Sequence, residues 1–149
     1  MIIRPADLEK DALAIVEGAK DFAERSPTKN LLGDSFVAAV SKIVTLPGFE
    51  VLLAEHEGQV VGGIGIYYYP YIWNEDIFAA EEMFWWTLQG APFKTGKTLL
   101  EKAMIMIKEK EAVPMFKALS SNRKGFDKTY RGFGMEPVET LYMRCSYAD

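Results

Sequence analysis

The chain opens on a short apolar pair, Ile2-Ile3, closed by Arg4-Pro5, and then the period changes. Leu8, Leu13, Ile15, Val16, Ala19 and Phe22 recur at helical spacing as far as Ser26-Pro27. This predicts an amphipathic helix with Asp7 as N-cap and Lys10 where a capping-box Glu would serve better. A second helix fits Ser35–Val44 and stops at Pro47-Gly48. Runs rich in Val, Ile, Leu and Tyr follow, 49–56 and 59–69, joined by Glu57-Gly58, a tight hairpin signal. A turn over Tyr71–Glu75 leads into a long strand, Ile77–Leu88, with Glu81 and Glu82 near its middle. A polar loop, Gln89–Gly96, precedes a strong helix from about Lys97 to Glu111 whose core face uses Leu99, Leu100, Ala103, Met104 and Ile107. Val113–Leu119 reads as a strand, Arg123–Phe133 as a helix closed by Gly134, and Val138–Cys145 as a last strand. The order βααβββαβαβ, with no linker or internal repeat, predicts one α/β domain over residues 1–149. Its sheet is mixed, mostly antiparallel and twisted, with helices flanking it.

Composition narrows the function. At 149 residues, 49% apolar and 26% charged, the chain has globular proportions. The net charge of −4 and the lack of a basic run argue against nucleic-acid binding and mildly favour a cationic or amine substrate. Cys145 is the only cysteine, so no disulfide or thiolate zinc site forms within one chain, and a reducing, cytoplasmic setting is expected. Without a charged n-region and apolar h-region, or an uninterrupted apolar stretch long enough to span a bilayer, neither secretion nor membrane insertion is expected.

Ala91-Pro-Phe-Lys-Thr-Gly-Lys-Thr98 satisfies a loose phosphate-loop spelling, which raises an NTPase or phosphotransferase alternative. Against it, Pro92 has no N–H to offer, and the strand that follows, Val113 onward, carries no Asp to hold magnesium. The hairpins upstream also differ from the parallel crossovers of P-loop domains. The general physics survives, because donors at a helix N-terminus bind any diphosphate, including that of coenzyme A. An ordinary strand-to-helix turn explains the segment equally well.

The element order, Gly96-Lys-Thr-Leu-Leu100 and Tyr130-Arg-Gly-Phe-Gly-Met-Glu-Pro137 together resemble the GNAT superfamily of N-acetyltransferases over nearly the whole chain. The family's acyl-CoA loop usually reads Gln/Arg-x-x-Gly-x-Gly/Ala. Here Gly96 matches the last position, while Lys94 replaces the first Gly and Ala91 the Gln/Arg. In the closing motif Met135 replaces Phe.

The resemblance implies acetyl-CoA as co-substrate, no metal, and direct transfer to an amine in a ternary complex. It implies that Lys94, Thr95, Gly96, Lys97 and Thr98 surround the diphosphate. Backbone groups of Trp85, Trp86, Thr87 and Leu88 would meet the pantetheine arm and acyl oxygen, and Asn122 would touch the cofactor. Tyr130 would protonate the leaving thiolate and Glu82 would draw a proton from the incoming ammonium. Each has a plainer alternative: Tyr130 a packed ring, Glu82 an ion-paired strand residue, Asn122 a helix N-cap.

Glu81 and Glu82 adjoin on one strand and so point to opposite faces; the spacing does not say which faces the cleft. His56 has no partner at ligand spacing and reads as a hairpin surface residue, and Cys145 as a small strand hydrophobe. The cluster Tyr67, Tyr68, Tyr69, Tyr71 and Trp73 is read first as strand packing, with an acceptor pocket or a homodimer contact as alternatives. The acceptor, a small-molecule or protein amine, is left open. A CoA-binding module without catalysis is the remaining alternative.

Overall fold

A computed structural model describes residues 1–27, 29–118 and 123–139. The elements run β1 (Ile2–Pro5), α1 (Leu8–Arg25), a 3-10 turn (Lys29–Leu31), α2 (Phe36–Ile43), β2 (Phe49–His56), β3 (Gln59–Tyr71), β4 (Asn74–Thr87), α3 (Thr95–Glu109), β5 (Val113–Met115) and α4 (Arg123–Arg131). The sheet order is β1-β2-β3-β4-β5, antiparallel throughout except for the parallel β4–β5 pair. The mixed, mostly antiparallel sheet expected from the sequence is therefore the one observed.

Local chemistry sets the boundaries. Asp7 caps α1 by accepting from the Glu9 amide at 3.1 Å. The reciprocal role that Lys10 cannot fill is taken by Asp11, whose Oδ2 accepts from the Asp7 amide at 2.7 Å. Asp11 is buried, but the Arg4 guanidinium pairs with it at 2.7 Å and also reaches Glu55 at 2.8 Å, tying α1 to β1 and β2. Glu57 and Gly58 both have positive φ, 52° and 76°, as a two-residue hairpin of the type I′ kind requires. The turn expected over Tyr71–Glu75 is narrower, because Tyr71 already pairs with Asn74.

Two apolar layers sandwich the sheet. One joins Ile15, Ala19, Val40, Val44, Val51, Leu53, Phe84 and Trp86 beneath α1 and α2. The other joins Leu52, Ala54, Ile64, Ile66, Ala80, Leu99, Ala103 and Ile107 beneath α3. Gly62 lets α3 close onto β3, since a Cβ there would meet Thr95 and Leu99 side-chain atoms at 3.3 Å and the Trp86 carbonyl at 2.9 Å.

Two expectations change. Of the strand foreseen over Val113–Leu119, the described residues pair only over Val113–Met115, and Leu119 lies outside them; beyond Met115 the Lys117 amide turns to the Glu82 carboxylate and its carbonyl takes the Tyr130 hydroxyl. The strand foreseen over Val138–Cys145 has no counterpart at Val138 and Glu139, and its remainder lies outside the described residues. The fourth helix does close as foreseen. Gly134, at φ 77°, donates to Arg131 O and Met135 donates to Tyr130 O, the paired bonds of a Schellman cap. Among the described residues no helix is long and apolar enough to cross a membrane.

The Trp86 indole is 2% exposed and wedged between Gly18 of α1 and Gly63 of β3, where an added Cβ would lie 1.9 Å and 2.2 Å from indole atoms. In a free helix Gly18→Ala would stabilise by about 1 kcal/mol. Here overpacking dominates, and a loss of roughly 1–3 kcal/mol is expected by urea denaturation; a gain would show that the contact yields freely.

Candidate active site

The site is a fork in the sheet. β5 pairs with β4 only at Ala79, Ala80 and Glu81, so from Glu82 to Thr87 that edge of β4 carries no described strand. The peptide groups on the open edge follow from ladder parity. The Leu88 amide donates to Val61 O at 2.9 Å, making Val61–Leu88 and, two residues on, Gly63–Trp86 the hydrogen-bonded pairs. Trp86 and Leu88 thus spend their amides on β3, while the peptide groups of Trp85 and Thr87 face the opening. Trp86 also buries its side chain on the α1 side. Of the four residues foreseen on this edge, only the alternate pair can present backbone groups there.

A bulge fixes the side chains. Gly65 pairs with Phe84 and Ile66 with Glu82, leaving Met83 unpaired. Met83 and Phe84 consequently both pack toward α1, and Glu82 shares the α3 side with Ala80 and Trp85.

Beyond β4 the loop arrives at α3 through Lys94, which has φ 73°. This is the left-handed conformation that glycine favours, held by a lysine at the position of the family's first Gly. Thr95 is buried; its hydroxyl donates to Pro92 O at 2.6 Å and its amide to the same carbonyl at 3.1 Å. Its side chain therefore serves the loop's own fold. The Thr98 amide and hydroxyl both go to Lys94 O, at 2.9 Å and 3.1 Å. The amides of Gly96 and Lys97 donate to no described residue, as expected of a first helical turn. The Lys97 ammonium lies 3.5 Å from Glu101, and that of Lys94 lies 5.7 Å from the centre of the exposed Phe93 ring. Two free amides at the positive end of a 15-residue helix, flanked by two ammonium groups, are a donor set suited to a diphosphate.

On the α3 side, Glu82 and Tyr130 meet at one residue. Glu82 Oε2 accepts from the Lys117 amide at 3.4 Å, and the Tyr130 hydroxyl donates to Lys117 O at 2.9 Å. Trp85, Phe126, Tyr130 and Phe116 form a run of ring contacts, each 5.7 to 5.8 Å between centres, lining this side. Glu82 is 3% exposed, and burial pushes its carboxyl up to about 7 despite the Lys117 amide. Burial and the Glu82 charge also raise the Tyr130 hydroxyl well above its usual value. Glu81 points to the α1 side. Burial there would raise it, but the Lys117 ammonium and Tyr69 hydroxyl outweigh that and hold it below the usual carboxylate range.

Sequence reasoning did not find Lys117, whose contribution is a peptide group and carries no side-chain signature. Asn122 lies outside the described residues. His56 sits at the β2–β3 hairpin with its side chain partly exposed. Among the described residues no three His, Cys, Asp or Glu side chains converge as a metal-ligand set.

The fold is that of the GNAT-type N-acetyltransferases. A ribosomal-protein-alanine N-acetyltransferase from Brucella melitensis superposes with a TM-score of 0.73 at 23% identity, covering 95% of this chain and 88% of that one. An aminoglycoside acetyltransferase from an uncultured soil metagenomic sample, in complex with sisomicin, gives 0.70 at 16%, covering 96% and 95%. A transcriptional regulator from Bacillus halodurans C-125 gives 0.71 at 21%, covering 96% and 98%. No family model and no curated protein matches the sequence. The phosphate-loop alternative loses its setting, because α3 follows an antiparallel hairpin and the strand after it, Val113–Met115, has no carboxylate.

Glu82→Gln keeps the shape and an acceptor for the Lys117 amide. Between pH 4.5 and about 7 the folded state binds more protons at Glu82 than the unfolded chain does, so this group's contribution to stability falls as pH rises through that window. The substitution is expected to raise the unfolding free energy by roughly 1–3 kcal/mol at pH 8 and to change it little near pH 4.5. Equal effects at both pH values in urea denaturation would exclude the buried charge as the cause.

Proposed function

We propose that this chain is an N-acetyltransferase that moves an acetyl group from acetyl-CoA to a primary amine by direct attack, in the cytoplasm. One observation carries the reading: an open β4 edge, at Trp85 and Thr87, runs into the uncapped amides of α3 at Gly96 and Lys97. The donors of the helix end suit a diphosphate, and the strand edge offers peptide groups to the amide-bearing arm of the same molecule. The similar acetyltransferase structures, including two enzymes acting on quite different amines, support acyl transfer and leave the acceptor class open.

Acetyl-CoA would supply the activated carbonyl; in the net reaction an N–C bond forms, the thioester C–S bond breaks, and the amine proton reaches the departing sulfur. The protein's part is positional and electrostatic. The Gly96 and Lys97 amides, with the Lys94 and Lys97 ammonium groups, hold the diphosphate. The Thr87 and Trp85 peptides orient the arm and acyl oxygen. Glu82, with its carboxyl near neutrality, takes the proton an ammonium must lose before it can attack, through water because it is buried. Tyr130 holds its proton tightly, so it stabilises the departing sulfur by hydrogen-bond donation once its one O–H turns from Lys117 O to the sulfur.

Isothermal titration should show acetyl-CoA binding without magnesium and no comparable binding of ATP with magnesium. Thiol release with a panel of primary amines then separates an enzyme from a binding module. Tyr130→Phe is expected to lower kcat about tenfold or more with little effect on cofactor affinity; an unaltered kcat removes Tyr130 from the mechanism. The rate should climb with pH through about 7 as Glu82 ionises, and Glu82→Gln should abolish that limb. A protein that does not bind acetyl-CoA refutes the assignment outright.

A further inference from the structure

The β3–β4 hairpin outruns its neighbours. β2 begins at Phe49, opposite Tyr67, and β5 at Val113, opposite Ala79, so Tyr69–Tyr71 and Asn74–Phe78 form a ribbon with no described strand on either edge. Its turn carries Ile72, 70% exposed, and Trp73, 81% exposed, with Tyr71, Ile77 and Phe78 exposed behind them. A contiguous apolar surface of this kind marks an interaction site. The ribbon's edges are poor templates for another strand, because Pro70 has no N–H and Glu75 and Asp76 follow the turn. Association therefore falls to side chains rather than to the ladder.

At the same end of the molecule a groove of about 540 Å³ opens between α3, β5 and the end of α4, lined by Met104, Ile105, Ala112, Pro114 and Phe133. Tip and groove are continuous. Pro114 pairs with Ala80, whose side chain lies on the α3 side, and alternation puts Phe78 on that face two residues nearer the turn. Charge distinguishes the two ends of this patch. Glu75 and Asp76 at the tip and Lys108 on the groove wall form no ion pair among the described residues. Residues 94–131, the segment holding α3, β5 and α4, carry ten Lys and Arg against four Asp and Glu, although the whole chain has 17 against 21.

Tip against tip would bring the carboxylates of two copies together, whereas tip against groove joins apolar surface to apolar surface and unlike charges to each other. Because tip and groove adjoin, a two-fold axis between them lets each copy make both halves of the contact. At about 200 Å² for each bare large side chain, the tip exposes on the order of 550 Å². A stable interface needs about 800 Å² per partner, so the groove wall is required to complete it.

We propose that the β3–β4 tip and the α3–α4 groove form a reciprocal homodimer interface, with Ile72 and Trp73 of each copy seated in the groove of the other and the Glu75 and Asp76 carboxylates facing Lys108. The contact uses the first residues of β4, a different stretch from the open edge at Glu82 to Thr87, and so stands apart from the acyl-transfer reading.

Sedimentation velocity of the whole protein over a range of concentrations tests it. The parent should reach a dimer. Ile72→Ser with Trp73→Ser should raise the dimer Kd about a hundredfold or more, since both arms lose an aromatic anchor. Lys108→Glu alone, and Glu75→Lys with Asp76→Lys, should each weaken the dimer about tenfold, while all three charge changes together should recover most of that loss. Urea denaturation midpoints near that of the parent report that each variant is folded. A parent that stays monomeric at every concentration, its tip and groove left to some other occupant, overturns the proposal. A dimer indifferent to the tip substitutions, or charge changes whose losses add instead of cancelling, overturns it equally.

Discussion

The peptide group of Lys117 holds the fork open. In a longer β5 its N–H and C=O would join the ladder of β4. Instead the N–H turns to the Glu82 carboxylate and the C=O takes the Tyr130 hydroxyl. A peptide satisfied by side chains has no need of a neighbouring strand, so the sheet can part without orphaning buried backbone groups. The bond to Glu82 is long, at 3.4 Å, whereas that to Tyr130 is a normal 2.9 Å. Tyr130 is therefore the firmer of the two struts. It is itself fixed from behind, because its carbonyl accepts from Phe133 and Met135 in the closing turn at Gly134. The Tyr130–Gly134 motif thus has a structural use beside any chemical one.

An edge strand released on one side must be held on the other. β4 is held by β3 along nearly its whole length and by Trp86, locked beneath Gly18 and Gly63. The bulge at Met83 makes both possible at once. It turns Phe84 and Trp86 into the α1 layer while leaving Glu82 and Trp85 on the α3 side. Plain alternation would have put Glu82, Phe84 and Trp86 on one face.

That bulge also marks the limit of what the sequence discloses. Helix faces, the Asp7 cap, the Glu57-Gly58 hairpin and the Gly134 closure were legible because each depends on residues a few positions apart. The early end of β5 was not, since Val113 to Leu119 is apolar enough to predict pairing throughout, and the partners that take the Lys117 peptide instead, Glu82 and Tyr130, lie far from it in sequence. For the same reason Trp86 and Leu88 seemed as suitable as Trp85 and Thr87, because edge parity depends on the register with β3. Lys94 is a third kind of case: its left-handed backbone was invisible behind a lysine, and its place in the family's loop was the only sign of it.

Adjacent in sequence, Glu81 and Glu82 differ by what surrounds them. Both touch Lys117, one through its ammonium and the other through its peptide. Glu81 meets a half-exposed positive charge and is held below the usual carboxylate range; Glu82 meets only an amide dipole in a buried setting and keeps its proton to near neutrality. Environments that separate two like groups assign them different work. A group that changes state near pH 7 suits the proton transfer proposed for Glu82. An ionised carboxylate at Glu82 has no counter-ion in contact beneath α4 among the described residues, whereas Glu81 has one in the Lys117 ammonium. The strand's alternation puts them on opposite faces, and that separation gives two adjacent carboxylates their unlike surroundings.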